Sequence, residues 1–306
     1  MQRYYRDKLS EFKTWEFKNS AQKGLIFPEN IGARLSIDET SLSHGELYTI
    51  VTNKEAKGKA GTIVAILEGT KSELIIPLLQ KIPLRVRNKV KEITLDLAGN
   101  MGLISKKCFP NAVQVIDRFH VQQLASEALQ EIRIKHRWEA IDAENQGIEE
   151  AKRNRSIYEP MVLSNGESLK QLLARSRYLL YKKSDNWTLE QQGRANILFE
   201  KYPQLEKAYE LSQKLSWIFS STKDKIYAFA RLAKWNEEVE QAGLKSFNTI
   251  SRTIVNHHVN ILNYFDNRST NASAESFNAK IKAFRAQYRG VGNVNFFLFR
   301  LAKLFA

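Results

Sequence analysis

Between residues 34 and 120 the chain breaks into short apolar runs. "RLSID" (34–38), "ELYTIVTN" (46–53) and "GTIVAILEG" (61–69) are rich in Ile, Val, Leu and Thr and are separated by polar or glycine-containing stretches, which predicts three consecutive strands. The lysines and glycines of "NKEAKGKAG" (53–61) fit a hairpin turn. "KSELIIPLLQKI" (71–82) has helical spacing, with Pro77 set to kink or shorten the helix. "VKEITLDLAGN" (90–100) predicts a fourth strand ending on Asp96, "MGLISKKCF" a helix, and "AVQVIDRFH" (112–120) a fifth strand. The order βββ-α-β-α-β defines an α/β protein with a mixed five-stranded sheet.

After His120 the pattern becomes helical. "VQQLASEALQEIRIKHRWEAIDAENQGIEEAKRN" (121–154) is a long amphipathic stretch, and four further stretches of the same kind follow, separated by Pro160, 184–186, Pro203 and Gly243. Residues 121–265 are therefore expected to form an all-α insertion between the fifth strand and a late helix. That helix, "RSTNASAESFNAKIKAFRAQYRG" (268–290), has polar capping residues at Asn271 or Ser273 and returns the chain to the core over 266–306. Upstream, residues 1–33 are aromatic and charged with Tyr4, Leu9, Phe12 and Trp15 at helical spacing, which predicts a helical arm before the first core segment, 34–120.

Charge changes the picture. Lys and Arg number 47 against 33 Asp and Glu, a formal net charge of +14, which favours a polyanionic partner and nucleic acid ahead of a membrane. No apolar run reaches the roughly 18 residues of a membrane span, and the N-terminus lacks a secretory apolar core, so a cytoplasmic location and no membrane partner are expected. Cys108 is the single cysteine, which excludes an intramolecular disulfide and a Cys-based zinc cluster. Glycine-rich phosphate loops and nucleophile elbows are absent from the sequence. From residue 267 onward seven basic residues (Arg268, Lys280, Lys282, Arg285, Arg289, Arg300, Lys303) accompany one acid, Glu275.

Three acids stand out by position: Asp38 at the end of the first predicted strand, Asp96 at the end of the fourth, and Glu275 in the first turn of the basic helix. The carboxyl ends of strands are where α/β sheets hold ligands, and adjacent strands can bring Asp38 and Asp96 together. Three hard oxygen donors suit Mg²⁺ or Mn²⁺ rather than zinc. A pair of such ions about 3.5–4 Å apart can activate an attacking oxygen and stabilise the leaving oxygen of a phosphoryl displacement. An acid in a first helical turn is also favoured by the helix dipole without any metal. Glu39 neighbours Asp38 but falls on the opposite face of a strand, so it is expected to point away.

"LSIDET" with "TLDLAGNMG", then "VIDRFHV", then "RSTNASAESFNAKIKAFRAQYRG" resemble the motif series of DDE transposases of the bacterial insertion-sequence family ISL3, over nearly the whole chain. The resemblance implies an RNase H-like catalytic domain in which Asp38, Asp96 and Glu275 are the catalytic, metal-binding triad with two Mg²⁺ (or Mn²⁺) ions. It implies cleavage of DNA at transposon ends and strand transfer into target DNA, by a protein associated with the nucleoid when bound and working as a homo-oligomer. An N-terminal end-recognition module, usual in this family, is not visible in the sequence, so a separate DNA-end-recognition protein is an expected partner.

Asp117 and His120 form an Asp-x-x-His resembling a signature of several DDE superfamilies. Either they support the active site, with Asp117 orienting His120, or they lock the strand end to the next helix. On the late helix Glu275, Asn278, Lys282, Arg285 and Arg289 share one broad face. With Lys280 these residues are candidate DNA contacts, a track that could follow a phosphate backbone, or else a solvated basic face. Two other functions remain open: an RNase H-like nuclease or resolvase without strand transfer, and a non-catalytic DNA-binding protein derived from a transposase.

Overall fold

The computed structural model describes residues 4–43, 45–97, 99–287 and 291–306. It divides into two compact units, the first running through His120 and resuming at Val259–Ala306, the second comprising Val121–His258. Residues 259–265 thus group with the sheet-bearing unit rather than with the helical stretch.

The first unit is built on a mixed sheet of six strands: β1 (Gly24–Ile26), β2 (Arg34–Ser43), β3 (Glu46–Asn53), β4 (Ile63–Glu68), β5 (Glu92–Leu95) and β6 (Val113–Ile116), in the spatial order β1-β4-β3-β2-β5-β6. β2 is the pivot, antiparallel to β3 on one side and parallel to β5 on the other, and β6 continues the parallel side. The sheet has one strand more than the five expected. β1 is too short to show alternation, and it exists because it pairs with β4, Gly24 opposite Leu67. A Cβ at residue 24 would stand 2.8 Å from Leu67 Cδ2, so glycine permits that approach.

The N-terminal segment expected as a helical arm contains instead a π-helical turn at Tyr5–Leu9 and a 3₁₀ turn at Glu11–Thr14 before reaching β1. Phe12, Ala21 and Leu25 of this stretch are buried, while Tyr4, Tyr5 and Leu9 stay exposed.

Asp38 was expected to end its strand, but β2 continues to Ser43 because its pairing with β3 persists beyond Asp38↔Ile50. What stops near Asp38 is the parallel partner: the β2–β5 register ends at Ser36↔Thr94. Asp38 therefore sits on a strand flanked on one side only, just past the carboxyl end of β5, while Asp96 directly follows β5 and Asp117 directly follows β6.

Alternation on the strands separates two faces. One carries Leu42, Tyr48, Ile50, Ile63 and Ile66 and packs against Phe277 and Ile281 of the helix Ala272–Gln287 and Phe297, Leu298 and Leu301 of the helix Val294–Phe305. Leu35, Ile37 and Val51 alternate with these, and the helices Ser72–Leu79 and Gly99–Cys108 pack on the same unit through Ile75, Leu79, Met101 and Ile104. Pro77 is accommodated inside Ser72–Leu79, a helix of eight residues. The helix 272–287 presents Ala274, Phe277 and Ile281 to the sheet at three- and four-residue spacing, and this registers Glu275 and Asn278 at the edge of the buried stripe.

The second unit is helical. Most of the helix Arg118–Arg153 belongs to it, with Leu169–Arg175, Leu189–Lys201, Pro203–Ser221, Lys225–Ala242 and Lys245–Asn256. Leu205, Ala208, Leu211, Leu215 and Ile218 form the buried stripe of its central helix, and the fully buried Trp235 donates its indole N–H to Leu211 O at 2.9 Å. Among the described residues no helix is long and apolar enough to cross a membrane.

Candidate active site

Asp38 is half-buried on the sheet face that meets the helix 272–287. Its Oδ1 accepts from the Glu39 backbone N–H at 2.8 Å, and its Oδ2 accepts from Asn278 Nδ2 at 2.7 Å. Burial pushes its pKa up, the Glu39 N–H pulls it back, Asp96 and Glu275 raise it, and His120 lowers it. The structure thus brings Asp38, Asp96, Glu275 and His120, from four segments of the first unit, into one electrostatic neighbourhood. Asp96 is half-buried behind β5, and Glu275 is exposed one turn into its helix. Glu39 lies on the opposite face of β2, yet its pKa is raised by burial and then by Asp96 and Asp38, so it senses the same acids.

The donor set that acts on Asp38, one further aspartate and one glutamate with no cysteine, is of the hard oxygen type that suits a divalent cation such as Mg²⁺ or Mn²⁺. Among the described residues no three His, Cys, Asp or Glu side chains gather closely enough to hold a single metal ion between them.

Asp117 is fully buried, and its carboxylate is committed to backbone amides. Oδ1 accepts from Phe119 N at 3.0 Å and Oδ2 from Asn271 N at 2.6 Å. His120 donates its backbone N–H to Asp117 O at 3.2 Å, while its Nε2 is buried without a hydrogen-bond partner. The Asp117 side chain thus reaches two helix starts, and no bond from it to the imidazole is formed.

Along the late helix the cationic track divides. Asn278 spends its amide N–H on Asp38 and leaves its Oδ1 buried without a partner. Lys280 turns toward the sheet unit's own surface, donating to Gly58 O at 2.9 Å with its ammonium 6.0 Å from the Phe305 ring centre. Lys282 is exposed and Arg285 half-exposed, both open to an external anion. Arg289 lies outside the described residues.

Sequence reasoning missed the polar groups that seat the segment before Glu275. Ser36 Oγ donates to Asn271 Oδ1, and both residues are fully buried. Lys54 donates to Thr94 Oγ1 at 2.7 Å and to Ser269 Oγ, and Ser269 in turn bonds Glu92, which pairs with Lys54 at 3.6 Å. Burial lowers the Lys54 pKa and Glu92 opposes that shift. The available signal was a polar residue at an inward position of an otherwise apolar strand, Ser36 in "RLSID" and Glu92 and Thr94 in "KEITL".

A family model described as "Transposase", for transposases of the ISL3 type, matches residues 35–301. The transposase for insertion sequence element IS1001 of Bordetella parapertussis is 22% identical over 277 residues, 89% of this chain and 60% of the relative. The transposase for insertion sequence element IS1557 of Mycobacterium tuberculosis, in two strains, is 24% identical over 252 residues, 81% of this chain and 54% of the relative. This chain belongs to the ISL3 family of transposases. The matches span between about half and three fifths of the length of these curated relatives. No solved structure matches the chain.

Proposed function

We propose that the chain carries the catalytic unit of a DDE transposase with an RNase H-like core, cleaving phosphodiester bonds at transposon ends and joining the freed 3′-hydroxyls to target DNA. The observation that supports this reading is that Asp96 and Glu275, from segments far apart in the sequence, both act electrostatically on the half-buried Asp38. The mixed sheet, antiparallel on one side of β2 and parallel on the other, supports the RNase H-like assignment.

In this reading Asp38, Asp96 and Glu275 hold divalent cations, which when bound supply charge neutralisation at the scissile phosphate and activation of the attacking oxygen. Asn278 fixes the rotamer of Asp38 and favours its ionised form by donating to Oδ2. His120 acts on Asp38 in the direction that favours the ionised carboxylate. Lys282 and Arg285 neutralise backbone charge on the approaching strand. Recognition of the transposon ends is assigned to sequence beyond this unit, on the same or a separate polypeptide.

Asp38→Ala, Asp96→Ala and Glu275→Ala should each abolish metal-dependent nicking of plasmid DNA while DNA retention in gel-shift assays stays within about twofold. Nicking that survives any of the three removes that residue from the triad, and survival in all three sinks the assignment. Pre-cleaved ends that are never joined to target DNA would leave a hydrolytic nuclease.

A further inference from the structure

The segment leading to Glu275 passes through Asn271, which is held by its backbone N–H, its carbonyl and its side-chain Oδ1, while its Nδ2 is buried without a partner. Its N–H donates to Asp117 Oδ2 at 2.6 Å, its side-chain Oδ1 accepts from Ser36 Oγ, and its carbonyl accepts from the N–H of Glu275 itself at 3.0 Å. Asp117 and Asn271 are both fully buried, so these bonds form away from competing water. The other Asp117 oxygen holds Phe119 N, at the start of the helix Arg118–Arg153. One buried carboxylate thus sits at the N-terminal ends of two helices, where the dipoles favour negative charge. Two residues upstream, Ser269 is held to Glu92 and Lys54, and Arg268 takes the left-handed conformation, φ 51°, that ends the preceding turn.

We propose that Asp117 and Asn271, with Ser36, are positioning residues that fix the peptide one turn before Glu275 and so set where its carboxylate stands relative to Asp38. This rests on the reading of Glu275 as a metal-binding acid. It assigns the Asp of the Asp-x-x-His pair to the placement of the third acid, and it explains why a Ser occupies a buried strand position two residues before Asp38. Side chains that hold a metal-binding group in place generally carry an effect of about 10- to 100-fold on metal affinity, since a site must be held to within about half an ångström.

The test is a double-mutant cycle on the full chain, read by Mn²⁺ binding in electron paramagnetic resonance, with thermal unfolding in chelator as the control for folding. Glu275→Gln should weaken Mn²⁺ binding. Asp117→Asn, which turns an N–H toward one of the two amide donors, should weaken it about 10- to 100-fold in the parent, and the milder Ser36→Ala at least threefold. In the Glu275→Gln background neither change should weaken it further. Equal losses in both backgrounds, or no loss from Ser36→Ala, overturn the proposal; if Asp117→Asn does not fold, Ser36→Ala decides alone. Unchanged Mn²⁺ binding in Glu275→Gln by itself overturns the metal role of Glu275, and the proposal with it, so the two failures are separate.

Discussion

Replacing Asn278 by alanine removes the side-chain donor on Asp38 Oδ2, a 2.7 Å contact, and among the described residues leaves the carboxylate with the Glu39 backbone N–H. A hydrogen bond to a charged group contributes about 1.5–3 kcal/mol, and this one acts on the ionised form only. Its loss therefore adds to the burial that already raises the Asp38 pKa. Each 1.4 kcal/mol or so is a factor of ten in an equilibrium, so where protonation of Asp38 limits the rate, nicking should fall about 10- to 100-fold. Asp38 is only half-buried, so water can replace part of the lost bond and the lower end of that range is expected. At alkaline pH, where both proteins have Asp38 ionised, the difference should shrink to a few-fold. The assay is single-turnover nicking at saturating divalent cation across the pH range, with the acid limb displaced to higher pH in the variant. A uniform loss at every pH, an unmoved limb, or a limb shifted toward acid would each show that Asn278 does not act through the ionisation of Asp38.

Asp38→Asn should abolish nicking yet stabilise the metal-free fold. The folded pKa of Asp38 lies above its unfolded value, so its contribution to stability is greatest below the ordinary carboxylate range near about pH 4 and is lost as pH rises through the folded pKa. Thermal unfolding in chelator should show the variant melting above the parent at neutral and alkaline pH, with the gap closing toward acid; a parent that melts higher at alkaline pH contradicts this. Phe277→Ala empties a fully buried position that meets the Phe305 ring edge-on at 5.1 Å, and should cost about 3–5 kcal/mol in urea denaturation. A loss below about 1 kcal/mol would mean that the helix 272–287 is not seated by this side chain.

The strands that were legible in the sequence are those with continuous β-branched runs. β4 is buried along almost its whole length, and "TIVAIL" shows it without reference to any partner. β1 was not legible, because three residues hold no period and only the pairing with β4 makes them a strand. The true end of β2 was hidden for the same reason: its last residues are extended through β3, while the local text "DETS" looks like a break. At the site, the acids could be singled out by where apolar runs stop and by one acid standing in a basic helix. Their supports could not. Asn278 meets Asp38 across 240 residues of sequence, and Asp117 meets Asn271 across 154. Helical periodicity placed Asn278 on the Glu275 face, correctly as geometry, but gave no sign that its amide turns inward, or that Lys280 closes on Gly58.

The sheet face formed by Leu42, Tyr48, Ile50, Ile63 and Ile66 is covered by side chains from the helices 272–287 and 294–305. On the ribosome this has a temporal consequence. Some 210 residues separate Ile66 from Phe277. At roughly 5–20 residues per second the strands wait on the order of ten to forty seconds for that cover. During that interval the nascent chain exposes an apolar sheet surface and has Asp38 and Asp96 without Glu275. Glu275 and the cover for this face arrive on the same helix, so a chain interrupted earlier leaves the sheet face unshielded.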